Sequence, residues 1–308
     1  MVQGNDTHIH EFILLGFPTT TELQALLFVI FLAVYLLTVT ENIVIIALIV
    51  TNHQLHKPMY FFLGHLAFLE ACYISVTVPK LLVILVVKNK NISFTGCMAQ
   101  LYFFVALVCT ESVLLAVMAY DRCVAICAPL HYTLTMSHRA CLQLATGSWL
   151  LGSLTAVLKV FFISQLSFCG PGVINHFYCD ISPLLNLSCA QRRTAEMVDF
   201  VLALFIFLVP LSVIIISYNC IIRTILLIPK AQNKKKAFST CASHLVVVIT
   251  FFSATLFIYA RPRSADSRDL NKLVSIIYTI VTPLLNPCIY CLRNQEVKDT
   301  LLKVLCSR

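Results

Sequence analysis

Charge is what this chain has least of. Only 12% of its 308 residues are charged, about half the share of an average soluble domain. Apolar residues make up 59% and the mean hydropathy is +0.88. The scarcity excludes a disordered chain, a collagen-like chain and an ordinary soluble enzyme, because the few charges cluster between apolar runs and cannot cover a water-facing surface. Catalytic signatures are missing too. No His-Glu-x-x-His stretch, Gly-x-Ser-x-Gly turn or paired Asp within the apolar runs occurs. There is no internal repeat of the kind that marks an inverted-repeat transporter. Residues 1–22 are polar and lack the basic, apolar, small order of a cleavable leader, so the first apolar run is expected to act as its own insertion signal.

What is present is seven apolar runs, near 24–50, 58–87, 97–127, 140–163, 197–228, 238–260 and 271–292. Each is long enough to cross a hydrocarbon core of about 30 Å as a helix. They are near-continuously apolar rather than alternating, which excludes a β-barrel. In lipid every backbone group must bond internally, so the runs read as helices. The expected fold is an all-α membrane protein, a single domain over 1–308 forming a seven-helix transmembrane bundle. Its segment 1–23 would lie outside the cell and its tail 293–308 in the cytoplasm. Loop charge sets that orientation: 12 basic residues fall on the proposed inside and eight on the outside. The acceptor triplets at Asn5, Asn91 and Asn186 all fall outside, and Asn5, farthest from the membrane, is the expected glycosylation site.

Most of the 14 cysteines sit within apolar runs as small hydrophobes. Cys97, Cys169, Cys179 and Cys189 lie on the oxidising side, where four thiols allow three pairings. His176, Cys179 and Asp180 would give too few ligands for a metal once Cys179 is bridged. Cys306 lies near the inner C-terminus, as a free thiol or a lipidated one.

Polar groups inside the runs are the sharper signal, because they are costly there. Asn42, Glu70, Glu111, Ser112 and Asn286, if they face one another, form a pocket in the bundle middle. Its two carboxylates would need a sodium ion, a shared proton or water. The alternative is hydrogen bonding that glues the helices together. No other cofactor is expected. Lys80 and Lys159, near the outer ends of their helices, can snorkel; Lys159 could instead face the outer cavity.

Several stretches carry a resemblance over essentially the whole chain. Leu55-His56-Lys57-Pro58-Met59-Tyr60-Phe61-Phe62-Leu63 opens the second helix, and Met118-Ala119-Tyr120-Asp121-Arg122-Cys123-Val124-Ala125-Ile126-Cys127 closes the third. Ser217-Tyr218 lies in the fifth, and Lys236-Ala237-Phe238-Ser239-Thr240-Cys241-Ala242-Ser243-His244-Leu245 opens the sixth. Pro283-Leu284-Leu285-Asn286-Pro287-Cys288-Ile289-Tyr290 ends the seventh. The chain resembles odorant receptors of the land-vertebrate-type class, within the rhodopsin-like G-protein-coupled superfamily. It departs from that pattern at Cys123 (usually Tyr), Glu41 (usually Gly), Glu70 (often Asp) and Phe252-Ser253 (usually Tyr-Gly).

The resemblance implies disulfides Cys97–Cys179 and Cys169–Cys189. It implies an activation switch and G-protein coupling surface of Asp121, Arg122, Tyr218, Lys236, His244, Asn286, Pro287 and Tyr290. In it Arg122 pairs with Asp121 at rest and meets Tyr218 in the active state, and Lys234, Lys235, Lys236 and His244 line the crevice rim. The implied ligand cavity comprises Phe104, Val105, Val108, Cys109, Ser112, Leu202, Ile206, Phe252, Thr255, Tyr259 and Thr279. The implied ligand is a small, mostly apolar odorant. The implied partner is a stimulatory, cyclic-AMP-raising heterotrimeric G protein, with membrane lipid around the bundle and no role for nucleic acid. A short amphipathic helix would follow Leu292. The main rivals are a transporter or channel that uses Glu70 and Glu111 as an ion path, and an intramembrane enzyme. The missing repeats and the missing catalytic groups weigh against them.

Overall fold

A computed structural model describes residues 10–17, 19–87, 89–189, 192–228, 231–259, 268–293, 297–298 and 300. Its helices are α1 (Thr21–Thr51), α2 (Pro58–Val86), α3 (Phe94–Cys127), α4 (Tyr132–Thr135), α5 (His138–Ser164), α6 (Ile181–Leu187), α7 (Arg192–Leu227), α8 (Ala231–Tyr259), α9 (Arg268–Ile276) and α10 (Thr282–Arg293). A π-helical stretch, Ile277–Val281, joins α9 to α10. The seven rods α1, α2, α3, α5, α7, α8 and α9-π-α10 account for the seven apolar runs. Five of them are long and apolar enough to cross a membrane, and Cys241–Phe257 and Lys272–Pro287 form shorter apolar helices.

Local sequence explains where several helices start. Ser93 Oγ accepts the Gly96 amide at the start of α3, and Ser137 Oγ accepts the Ala140 amide at the start of α5. Pro58 opens α2, where its missing N–H costs nothing. α8 starts at Ala231, seven residues before the expected apolar run. A helix needs backbone pairing and not hydrophobicity, so it extends through Lys234–Lys236.

α3 is the central rod. Of its most apolar stretch 72% is buried, against 11% for α1. It packs closely on α5 at Gly152, where a Cβ would lie 2.1 Å from Thr110 Oγ1 and 2.8 Å from the Ala106 carbonyl oxygen. On the outer faces Val29, Leu36, Phe200, Val201, Ile216 and Leu256 stand exposed, as a lipid-facing belt requires.

Pro210 sits inside α7 and cannot donate to the Ile206 carbonyl one turn earlier. Ser112 Oγ of α3 donates to that carbonyl at 2.8 Å. The bond that proline removes within one helix is thus replaced by one between helices.

One end of the bundle carries a lid that hydropathy did not foretell. Glu11–Leu14 forms β1, pairing antiparallel with β2 (Asn91–Ser93) and parallel with β3 (Val173–Ile174). Phe12 and Leu14 alternate inward and are fully buried. Gly16 has φ of 61°, a left-handed turn that glycine adopts without strain, and its carbonyl accepts the buried Lys272 ammonium at 3.0 Å.

Candidate functional site

The lid is stapled to the rods. Disulfides join Cys97 to Cys179 and Cys169 to Cys189, the pairing that the resemblance implies. Gln100 of α3 accepts the Cys179 amide at 3.0 Å and donates to the Val76 carbonyl of α2 at 2.9 Å, tying loop, α3 and α2 at one residue. Beneath lie His176, Phe177 and Tyr178, all buried. His176 Nε2 lies 3.2 Å from Ser275 Oγ. Burial, with the Lys272 ammonium adding, holds the imidazole down to about 3. Burial, with Asp199 adding, pushes the Asp180 carboxyl up to about 6.

Most of the expected cavity residues are buried, and Phe104 meets the lid directly. On α3, Phe104, Val105, Cys109 and Ser112 are buried and Val108 is half-buried. Phe104 packs on Tyr178 of the lid at 4.7 Å between centroids. On α7, Ile206 is buried and Leu202 half-buried. Thr255 and Thr279 are buried, but their hydroxyls bond their own helices, to the carbonyls of Phe251 and Ser275. Phe252 is half-buried and packs on Phe251. The Tyr259 side chain lies outside the described residues. Lys159, expected to snorkel or to face the cavity, is buried instead, its ammonium 2.8 Å from Asp199 of α7. Asp199 was not singled out from the sequence, because its run gives no sign of which face it turns to α5. Lys80 does reach outward, to the Asn91 carbonyl.

The central polar residues are only partly brought together. Asn286 Nδ2 donates to Glu70 Oε1 at 2.6 Å, both buried, and Glu111 lies within electrostatic reach of Glu70. Asn42 turns back to the Thr38 carbonyl of its own helix, and Ser112 is engaged with Ile206. Among the described residues no group of three or more His, Cys, Asp or Glu could hold a metal.

The opposite end centres on Arg122, which is 9% exposed. No ion pair joins it to Asp121 among the described residues. Asp121 Oδ1 instead accepts the Tyr132 hydroxyl of α4 at 2.9 Å. The Tyr132 phenol is correspondingly raised by burial and by the Asp121 charge. Tyr218 Oη lies 2.7 Å from His244 Nδ1, the rings stacked, and also donates to the Cys241 carbonyl. His244 is therefore fully buried and not on the rim where it was expected. It is held there as the tyrosine's partner. Beside this cluster Leu130 and Leu134 project at 93% and 82% exposure. Pro287 is buried in α10. The side chains of Lys235, Lys236 and Tyr290, and all of Asn5 and Cys306, lie outside the described residues. Of the tail after Arg293, only Val297, Lys298 and Thr300 are described; Val297 and Thr300 are buried.

Seven rods, a disulfide-bound lid at one end and a buried arginine cluster at the other define a heptahelical membrane receptor. The solved structure of squid rhodopsin superposes with a TM-score of 0.73 over 95% of this chain and 90% of its own, at 16% identity. The family model described as olfactory receptor matches residues 31–308, and the chain belongs to the olfactory receptor family. Human olfactory receptor 6B1 is 60% identical over 97% of this chain and 96% of its own length. Rat olfactory receptor 226 is 56% identical over 98% and 94%. The protein is thus a multi-pass receptor that detects odorants, and not an enzyme.

Proposed function

We propose that the receptor sits in the plasma membrane with the lid outside and Arg122 at the cytoplasmic face. A small, mostly apolar volatile molecule binds under the lid, and binding activates a stimulatory heterotrimeric G protein that raises cyclic AMP. The observation that carries the reading is the state of the Arg122 end. It is held closed by a few hydrogen bonds, Tyr132 to Asp121 and Tyr218 to His244 and Cys241, beside two protruding leucines. Opening it costs little, and it frees Arg122 and Tyr218 to meet a partner helix while Leu130 and Leu134 supply apolar contact. The ligand does no chemistry. It shifts a two-state equilibrium by its difference in affinity for the two states.

In the bundle middle, Glu70 and Glu111 share a proton or hold a sodium ion, with the Asn286 amide donating to Glu70. Two buried carboxylates supply the negative charge that either a proton or a monovalent cation would offset. Asn5 carries the glycan.

The test is a cyclic-AMP reporter screen of a broad odorant panel, repeated with Arg122→Ala. The expected result is a ligand-dependent response that disappears in the variant, with surface staining reduced far less. A full response from Arg122→Ala would reject the coupling scheme. Ion flux without any ligand would favour a channel.

A further inference from the structure

Two tyrosines absent from the expected cavity stand out. Tyr73 of α2 and Tyr278 of the π-helical stretch are 2% and 4% exposed, with ring centroids 5.7 Å apart and the rings edge to face. Their hydroxyls approach one another but stop short of hydrogen-bond geometry. Apart from this mutual approach, neither hydroxyl has a hydrogen-bond partner among the described residues. A buried hydroxyl left so costs stability until a partner arrives, and buried polar groups are seldom left unmet. Tyr278 also lies on a π-helical turn, a rare backbone form that often marks functional positions.

The surroundings connect the pair to the cavity. Tyr73 packs on Phe104 at 5.3 Å, and Tyr278 packs on Phe251 at 5.8 Å. Phe104 and the neighbour of Phe251, Phe252, belong to the proposed ligand cavity. Cys109, another member, and the Glu111 carboxyl lie within electrostatic reach of Tyr278.

We propose that Tyr73 and Tyr278 are the polar recognition point of this cavity, their hydroxyls converging on one neutral acceptor oxygen, a carbonyl or an ether, of an otherwise apolar ligand. The proposal rests on the odorant-binding reading above and narrows its ligand class. Two neighbouring donors can meet the two lone pairs of one such oxygen. A carboxylate would meet Glu111. An ammonium, though it would be drawn to Glu111, would meet two phenols poised as donors and would shed its water against walls that are mostly phenyl and hydrocarbon.

The test uses the full-length receptor in nanodiscs and five eight-carbon probes: 2-octanone, dibutyl ether, octane, octylamine and octanoate. Without ligand, Tyr73→Phe and Tyr278→Phe should melt at or above the wild-type temperature, because they delete an unmet donor. With ligand, 2-octanone or dibutyl ether should raise the wild-type melting temperature more than octane does. Each Phe variant should weaken the response to that oxygenated probe about tenfold, the loss of one hydrogen bond. Octane should be unaffected. Either variant melting lower without ligand means that an ordered water only satisfies the hydroxyls, and overturns the proposal. Stabilisation by octylamine or octanoate alone, or by none of the five, overturns it also. The cyclic-AMP panel judges the receptor reading separately, since a response to any odorant upholds that reading whatever these probes do.

Discussion

The two ends of the bundle are held by bonds of different kinds. At the lid end there are two disulfides, a three-stranded sheet, the Lys272–Gly16 bond and the buried Lys159–Asp199 pair. At the Arg122 end there are only hydrogen bonds, from Tyr132 to Asp121 and from Tyr218 to His244 and the Cys241 carbonyl. Covalent closure and a desolvated ion pair resist change, whereas a single hydrogen bond contributes about 1 kcal/mol and exchanges readily. Under the proposed function, ligand recognition belongs to the rigid end and the response to the loose one.

The contrast can be broken from the rigid side first. Lys159→Ala takes the cation from the half-buried Asp199 and from beside the buried Asp180, and should destabilise the receptor by about 3 kcal/mol. Loss of surface staining would report it. Lys159→Met together with Asp199→Leu should restore most of the staining, because neither member of the pair then remains to be solvated and Asp180 loses its like-charged neighbour.

Smaller is the effect of Gly152→Ala, where the new methyl meets the Ala106 carbonyl and Thr110. Rods α3 and α5 must part, at about 1–3 kcal/mol, seen as a lower melting temperature of the purified receptor.

Acidification tests the lid through His176 and Asp180. His176 is held near 3 against an ordinary 6.5, so the stability it lends is whole above 6.5 and is lost as pH falls from there toward 3. Asp180, raised to about 6 from 3.8, works the other way and lends stability as pH falls from about 6 toward 3.8. The histidine's displacement is the wider, so the net result of going from about pH 7 to about pH 5 is a looser lid. Hydrogen exchange at residues 11–14 and 173–174, corrected for intrinsic rates, should quicken in the wild type and respond less in His176→Gln.

The smallest change belongs to the loose end. Tyr132→Phe removes one bond to Asp121, about 1 kcal/mol, and should raise basal cyclic AMP severalfold with surface staining unchanged. No rise would mean that this bond does not bias the resting state.

The seven rods were legible because lipid demands long apolar helices, and that demand is written residue by residue. β1 was not, since four residues pairing with two distant segments leave no periodic trace. The Glu70–Asn286 contact was legible because both residues are conspicuous in apolar runs. Their neighbour Asn42 was equally conspicuous, yet it bonds its own helix, and sequence carries no information on rotamer. The Lys159–Asp199 pair and the facing tyrosines were missed for a related reason. Each depends on how two rods are rotated against each other, and a phenol inside an apolar run reads as ordinary packing. The reversal at Asp121, bonded to Tyr132 and not to Arg122, turns on the short helix α4, whose four residues bring the tyrosine back beneath α3.

A distance measurement addresses the central claim most directly. Spin labels at Leu134→Cys and Phe238→Cys would report the Arg122 end, and a pair on β1 and α9 the lid end, in a background without other exposed cysteines. On adding an agonist from the odorant panel, the Leu134–Phe238 distance should lengthen while the lid pair stays fixed. An agonist that moves the lid pair and leaves the Leu134–Phe238 distance unchanged would contradict the account.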